Sequence, residues 1–120
     1  MGSVPKLSDS EIAESLKKVP EWSELGEAIQ RTFAFENFAV SMQFVGRVAQ
    51  AAETDQHHPD ILIRYNKVTM TLSTHDAGGI TEKDFEAAAK YDSLAAGLPL
   101  PVAKPPSKPA TKKPRKDGAE

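Results

Sequence analysis

The sequence predicts an α+β domain with the element order α-β-β-α-β-β-α: a four-stranded antiparallel sheet with helices packed on one face. Two observations carry this prediction. Four short runs rich in β-branched and aromatic residues occur as two closely spaced pairs, which is typical of hairpins. Three stretches with apolar residues at helical spacing flank and separate those pairs. Strands joined by short turns form antiparallel sheets, and amphipathic helices cover such sheets on one face.

The first helix and the first hairpin are predicted from residues 8 to 35. Ser8 and the acidic residues after it favour a helix start, and Pro20 ends the helical spacing, so the helix spans roughly 9–18. A short strand is predicted over 21–25 and a longer one over 28–35. In the longer strand, alternate residues place Ile29, Arg31, Phe33 and Phe35 on one face. Three of these four are large and apolar.

The second helix is predicted to begin after Asn37, a favourable N-cap residue, and to end near Thr54. Its apolar stripe is broad, as expected of a helix that lies on a sheet. We interpret this stripe as core, with Gly46 marking close packing against a neighbour. The stripe consists of Phe38, Met42, Val45 and Ala49, widened by Phe44, Val48 and Ala52.

A second hairpin and a third helix follow. Two β-rich runs, 61–65 and 68–72, lie on either side of a predicted turn at Asn66-Lys67. Gly78-Gly79 interrupts the regular secondary structure, and the third helix is predicted to start at Thr81.

Composition sets the domain boundaries and excludes several classes of function. Residues 1–7 are predicted to be flexible, 8–96 to form one domain, and 97–120 to be a disordered tail rich in Pro, Lys and Ala. Residues 1–100 carry nine Lys or Arg against fifteen Asp or Glu, which argues against a nucleic-acid partner. The chain has no cysteine and no apolar run long enough for a membrane span, so we expect a cytoplasmic protein without thiolate chemistry or membrane contact.

All three histidines lie beside predicted element ends. His57 and His58 precede Pro59 where the second helix gives way to a strand, and His75 follows the second hairpin. Histidine exchanges protons near neutral pH, which suits it to acid–base catalysis. Surface duty is the simpler interpretation of any single histidine. Zinc is another, but adjacent histidines in an extended chain point to opposite sides, which is awkward for joint coordination.

Three further side chains have two interpretations each. Asp84 follows Thr81 by three residues, so it forms a capping box or supports the histidines. Glu53 lies four residues before His57, on the same helical face if the helix extends that far. Trp22 belongs to the core or stacks on a flat heterocycle at a pocket edge.

Taken in order, these residues resemble the signature of the pterin-4a-carbinolamine dehydratase family. The resemblance covers roughly residues 10–92 and departs from many members at Gln56, where they have Asp or Asn. Its elements are Glu53, then Gln56-His57-His58-Pro59, Tyr65, His75 and Asp84.

The resemblance implies a hydro-lyase, 4a-hydroxytetrahydrobiopterin dehydratase, that acts in tetrahydrobiopterin recycling without a metal or an organic cofactor. It implies a homodimer or homotetramer with the sheet extended across subunits. The implied catalytic residues are His57, His58 and His75, with His57 and His75 exchanging protons. The implied substrate contacts are Gln56, His57, His58, Ser73, Thr74, His75 and Asp76, supported by Glu53, Asp84 and Trp22. The alternative function is a pterin-binding protein or a transcription-factor dimerisation cofactor.

Overall fold

The computed structural model describes residues 5–101, in which the predicted order of helices and strands is confirmed. A short 3₁₀ turn at His75–Ala77 precedes the last helix. The helices are α1 (Asp9–Leu16), α2 (Phe38–Asp55) and α3 (Glu82–Ala95), and the strands are β1 (Ser23–Leu25), β2 (Ala28–Ala34), β3 (Asp60–Arg64) and β4 (Lys67–Leu72).

The four strands form one antiparallel sheet in the order β1-β2-β4-β3. β1 and β2 form one hairpin and β3 and β4 the other, with β2 and β4 side by side at the centre. This leaves β3 as an edge strand that ends the sheet. The last residues of β4 lead directly into the segment that carries His75.

The two faces of the sheet differ sharply in polarity. The inner face contributes Ile29, Phe33, Val68, Met70 and Leu72, each at most 2% exposed. On the outer face the cross-strand neighbours are polar and hydrogen-bonded: Gln30 Nε2 donates to Thr71 Oγ1 at 3.0 Å, and the hydroxyls of Thr32 and Thr69 lie 2.8 Å apart. The helices therefore cover the apolar face.

The prediction that Phe38 and Met42 belong to the core is wrong. Their side chains are 50% and 41% exposed, and Ala49 is exposed as well. The interpretation of Gly46 is also wrong, because a Cβ atom there would meet nothing within 4 Å. The stripe of α2 that is buried is the neighbouring one, which consists of Val40, Phe44, Val48 and Ala52.

Two details of the hairpins differ from the prediction. The second hairpin turns at Tyr65-Asn66, one residue earlier than expected, because Arg64 pairs with Lys67. Tyr65 adopts a left-handed conformation there, with φ 56°. Trp22 lies before β1 rather than in it.

Both boundaries of the folded unit extend beyond the predicted 8–96. Leu98 is 7% exposed and belongs to the core, and the Glu36 amide donates to the Pro99 carbonyl at 3.0 Å. At the other end the Leu7 amide donates to the Ile80 carbonyl at 2.9 Å. The predicted flexible residues 1–4 and the rest of the predicted tail, 102–120, lie outside the described residues. Between residues 5 and 101, none of the helices has the length and apolar character needed to cross a membrane.

Candidate active site

The site begins at the corner where α2 ends. Gln56 caps the helix in a left-handed conformation, with φ 56° and ψ 39°, and its amide donates to the Ala52 carbonyl. A left-handed residue reverses the direction of the chain, and Pro59 keeps the following residues from continuing the helix. His57 and His58 therefore leave the helix end in an extended segment, and their side chains point in different directions.

His57 points into the protein and meets a buried carboxylate. Its Nε2 lies 2.7 Å from Oδ1 of Asp84, and the exposed fractions of the two side chains are 10% and 0%. A charge-assisted hydrogen bond is stronger when water is excluded from it. This contact holds the ring of His57 in one orientation.

Asp84 combines the two roles that the sequence left open. The Thr81 side chain and Asp84 form a capping box at the start of α3, in which the Thr81 amide donates to Asp84 Oδ2 at 2.9 Å. The same oxygen accepts a hydrogen bond from the Thr74 hydroxyl at 2.9 Å. With one oxygen bound to the backbone and Thr74, the other is directed at His57.

His58 makes the corresponding contact on the surface. Its Nε2 lies 2.7 Å from Oε2 of Glu53, and the two side chains are 60% and 78% exposed. The helix does not extend far enough for Glu53 to share a face with His57, because α2 ends at Asp55 and the left-handed Gln56 turns the chain there. A contact this exposed contributes little to stability, less than about 0.5 kcal/mol.

Two clefts divide the predicted site residues. A polar cleft of about 250 Å³, which we call the β4 cleft, is lined by His58, Asp60, Thr71, Ser73 and His75. Within it the Ser73 hydroxyl donates to the Glu27 carbonyl at 2.8 Å. The cleft therefore contains two of the three histidines.

The second cleft, of about 350 Å³, lies between α2 and α3, and we call it the helix cleft. It is lined by Asp55, His57, Lys83, Glu86, Ala87 and Lys90. Lys90 Nζ and Asp55 Oδ2 form an ion pair at 2.7 Å across its mouth. His57 thus opens onto a different cleft from His58 and His75, although Thr74 connects the two sides through Asp84.

Some predicted site residues lie apart from both clefts. Trp22 is 3% exposed and packs edge-on against Phe33, and its Nε1 donates to Asp92 Oδ1 at 2.9 Å. Trp22 therefore lies in the core and not at the edge of a pocket. Gln56 and Asp76 are exposed and line neither cleft.

Sequence reasoning missed several residues of the site. Asp60 and Thr71 are cross-strand partners in the β3–β4 ladder, so the register brings them beside His58 and His75. The strand alternation that places Thr71 on the polar face of β4 was a signal that could have identified it. No local pattern identifies the contact between Thr74 and Asp84, because it joins a loop to a helix.

A buried phenol lies close to the same carboxylates. Tyr91 on α3 is 1% exposed. Its burial, and then the negative charges of Asp55 and Asp84, raise the pKa of the Tyr91 hydroxyl from 10.0 to about 12. Asp84 and Tyr91, each at most 1% exposed, thus form a region behind His57 that is shielded from water.

Comparison with known proteins identifies the family. The family model described as pterin 4 alpha carbinolamine dehydratase matches residues 5–94. The chain belongs to the pterin-4a-carbinolamine dehydratase family. A protein of Chloroflexus aurantiacus is 53% identical over 91 residues, covering 76% of this chain and 98% of its own length. A Picosynechococcus protein is 51% identical over 89 residues, covering 74% and 97%. Both are named, provisionally, as pterin-4-alpha-carbinolamine dehydratases.

Solved structures agree with the fold and carry varied descriptions. A Brucella melitensis protein described as a transcriptional coactivator/pterin dehydratase superposes with a TM-score of 0.74 at 36% identity, covering 76% of this chain and 99% of its own. A pterin dehydratase-like protein described as a RuBisCO assembly factor in the α-carboxysome superposes at 0.56 and 29% identity, covering 63% and 90%. The family and its fold are thus established, whereas activity varies among the descriptions of its members.

Proposed function

We propose that this protein is a 4a-hydroxytetrahydrobiopterin dehydratase that acts in tetrahydrobiopterin recycling. The observation that supports it best is the buried pair of His57 and Asp84, next along the chain from His58, which lines one cleft together with His75. A histidine held by a buried carboxylate is a common arrangement for proton transfer. The β4 cleft has a volume of about 250 Å³. Small-molecule sites begin at about 300 Å³, so the cleft is of a size that suits a two-ring head group.

The reaction requires two proton transfers. The substrate carries a hydroxyl on C4a and a proton on the adjacent N5. One group removes the N5 proton, a second protonates the departing hydroxyl, and water leaves as the N5–C4a double bond forms. We assign these transfers to His57 and His75, each worth about 10²–10⁴-fold in rate. Because the two histidines line different clefts, this assignment requires the substrate to reach from the β4 cleft to His57.

The remaining residues hold the substrate in this proposal. His58 and Ser73 line the β4 cleft with His75, and Thr74 and Asp76 flank His75 in the chain. Gln56 lies at the corner before the two histidines and is an exposed residue. In this mechanism the chain's own side chains supply the acid and the base, with no metal and no organic cofactor.

The direct test is the rate of dehydration of 4a-hydroxytetrahydropterin by the wild type and by His57→Ala, His58→Ala and His75→Ala. We expect kcat to fall at least about a hundredfold in His57→Ala and His75→Ala. In His58→Ala we expect mainly a higher KM, because His58 holds the substrate. Phe38→Ala is a matched control, because Phe38 is exposed on α2 away from both clefts. Unchanged dehydration in the double variant of His57 and His75 contradicts the mechanism.

We further propose that the protein works in the cytoplasm as a homodimer or homotetramer. β3 is an edge strand with exposed Ile61 and Leu62, 36% and 55% exposed, and unpaired edges favour strand addition. Sedimentation equilibrium measures the oligomeric state directly. A monomer at micromolar concentration contradicts this part of the proposal.

A second candidate is a binding role without catalysis, as a pterin-binding protein or a transcription-factor dimerisation cofactor. The exposed Phe38 and Met42 on α2 favour it, because adjacent apolar side chains on a surface often mark a contact with another protein. Pterin binding by an enzymatically inactive wild type supports this candidate. Rapid dehydration by the wild type argues for the enzyme.

A further inference from the structure

Two buried threonines lie behind the carboxylate that holds His57. Thr74, in the loop after β4, is 8% exposed, and Thr81, the N-cap of α3, is fully buried. Their hydroxyl oxygens lie 2.7 Å apart. Thr74 Oγ1 also lies 2.9 Å from Asp84 Oδ2, so the three side chains form a continuous hydrogen-bonded chain that leads to His57.

Counting protons fixes the direction of these hydrogen bonds. A threonine hydroxyl has one proton to donate, and that of Thr74 goes to Asp84 Oδ2. The bond between the two threonines must therefore be donated by Thr81 and accepted by Thr74. Thr81 Oγ1 can still accept from the Lys83 amide, at 3.2 Å, because that contact uses a lone pair.

The same count fixes the proton on His57. Asp84 Oδ2 accepts from the Thr74 hydroxyl and the Thr81 amide, so Oδ1 is the oxygen that faces the ring. A carboxylate has no proton to give, and His57 Nε2 must therefore donate. Nδ1 has no hydrogen-bond partner among residues 5–101, and on a neutral ring it is the nitrogen that can accept a proton.

We propose that Thr74 and Thr81 are positioning residues, which aim Asp84 so that His57 carries its proton on Nε2 and presents Nδ1 as the base. This inference rests on the proposed dehydratase function. Nδ1 takes the proton from N5, the N5–C4a double bond forms, and the C4a–O bond breaks as the imidazolium of His75 gives its proton to the departing hydroxyl; proton exchange with solvent then restores both rings. Water is the leaving group, no electrons are exchanged with another reactant, and Asp84 stabilises the resulting imidazolium.

The Thr74 side chain thereby has a role different from the one that the family resemblance implies. The family resemblance implies Thr74 as a substrate contact, but its one proton is committed to Asp84 and the residue is almost completely buried. Thr81 carries no implied role beyond capping. Each hydroxyl therefore acts through Asp84 and His57 rather than on the substrate.

The two threonines differ in a way that separates positioning from stability. Thr74→Val removes a donor that contacts Asp84 directly, so we expect kcat to fall about tenfold, as for loss of a hydrogen bond to a buried charge. Thr81→Val removes the α3 cap but leaves the Thr74 donor in place. It should lower the melting temperature more than Thr74→Val does and lower kcat less.

The decisive measurement is the protonation pattern of the His57 ring, from long-range ¹H–¹⁵N spectra of the full-length protein, with the His57 signals assigned by their loss in His57→Gln. We expect Nε2 to carry a proton in the wild type. In Thr74→Val this proton should be partly lost from Nε2, because Asp84 is then free to turn its Oδ1 away from the ring, and it should be retained in Thr74→Ser. Asn37→Ala is the matched stability control, because it removes the α2 cap at the opposite helix end. It should destabilise the fold with no change in the His57 signals or in kcat.

The outcomes separate this inference from the proposed function. A bare Nε2 in the wild type overturns the positioning role. The positioning role is also overturned if Thr74→Val changes neither the protonation of Nε2 nor kcat, or if it changes kcat and leaves the protonation of Nε2 as it was. An inactive wild type that shows the expected Nε2 proton and its loss in Thr74→Val supports the positioning role and contradicts the dehydratase.

Discussion

His57 and His58 are neighbours in the chain, yet their surroundings are opposite. Each has a carboxylate oxygen 2.7 Å from its Nε2, but Asp84 is completely buried, whereas Glu53 is 78% exposed. Water screens the exposed pair and leaves it free to rearrange. The buried pair is held by three elements, so two contacts of the same length differ greatly in how firmly they are held.

The largest effect that this comparison predicts comes from Asp84→Asn. The amide must keep an oxygen toward Thr74 and the Thr81 amide, so its NH₂ group turns toward His57 Nε2 and reverses the proton pattern of the ring. We expect kcat to fall about 10²–10⁴-fold and the free energy of unfolding to fall about 2–3 kcal/mol. Steady-state rates and urea unfolding measure the two quantities. Wild-type rates in this variant would show that burial of the pair has no catalytic role.

An alkaline titration tests the shielding of the buried side. Tyr91 is neutral when protonated, and its pKa of about 12 in the folded state, against 10.0, means that the fold retains this proton more tightly. That stabilisation is fully present below pH 10 and is lost as the pH rises through 12. Between these values wild type should lose on the order of 2 kcal/mol more stability than Tyr91→Phe.

Tyrosinate absorbance offers an independent check, because the chain has two tyrosines. Tyr65 is 66% exposed, so Tyr65→Phe is the matched control and should leave the alkaline loss of stability unchanged. If Tyr91 ionises reversibly without any change in stability, the region behind His57 is open to water.

Gln56 at the corner between the two environments predicts a smaller effect. A non-glycine residue in the left-handed region is strained, and asparagine tolerates it better than glutamine does. Gln56→Asn should therefore raise the free energy of unfolding by about 0.5 kcal/mol. Thermal unfolding measures the change, with Gln43→Asn on the exposed side of α2 as a control that should be slightly destabilising. A loss of stability on Gln56→Asn would mean that the longer side chain makes a compensating contact.

The smallest effect is expected from Glu53→Gln. The substitution removes the charge beside His58, and a pair this exposed contributes less than about 0.5 kcal/mol. Unfolding at low and high salt should give nearly equal stabilities for wild type and variant. A large, salt-sensitive loss would remove the contrast between the two histidines.

Much of the fold was predictable because it depends on local patterns. The alternation in β2, the N-caps Ser8 and Asn37, and the capping box of Thr81 and Asp84 are all encoded within a few residues, and each appears where it was expected. The stripe on α2 was not predictable in the same way. Phe38 and Phe44 are both large and apolar, and only the position of the sheet decides which of them is buried.

By itself, the sequence determined the family, the order of the elements, and the fact that the histidines lie at the ends of regular structure. Each of these depends on residue type and short-range spacing. Only the tertiary structure decided which carboxylate holds which histidine. Asp84, which contacts His57, lies 27 residues further along the chain, and Thr74, which contacts Asp84, lies 17 residues after His57. These atoms meet only after β4, α2 and α3 have packed together. Asp84 is a capping residue in the sequence, and it becomes the support of His57 because the left-handed turn at Gln56 directs the ring inward, where water cannot compete for the bond.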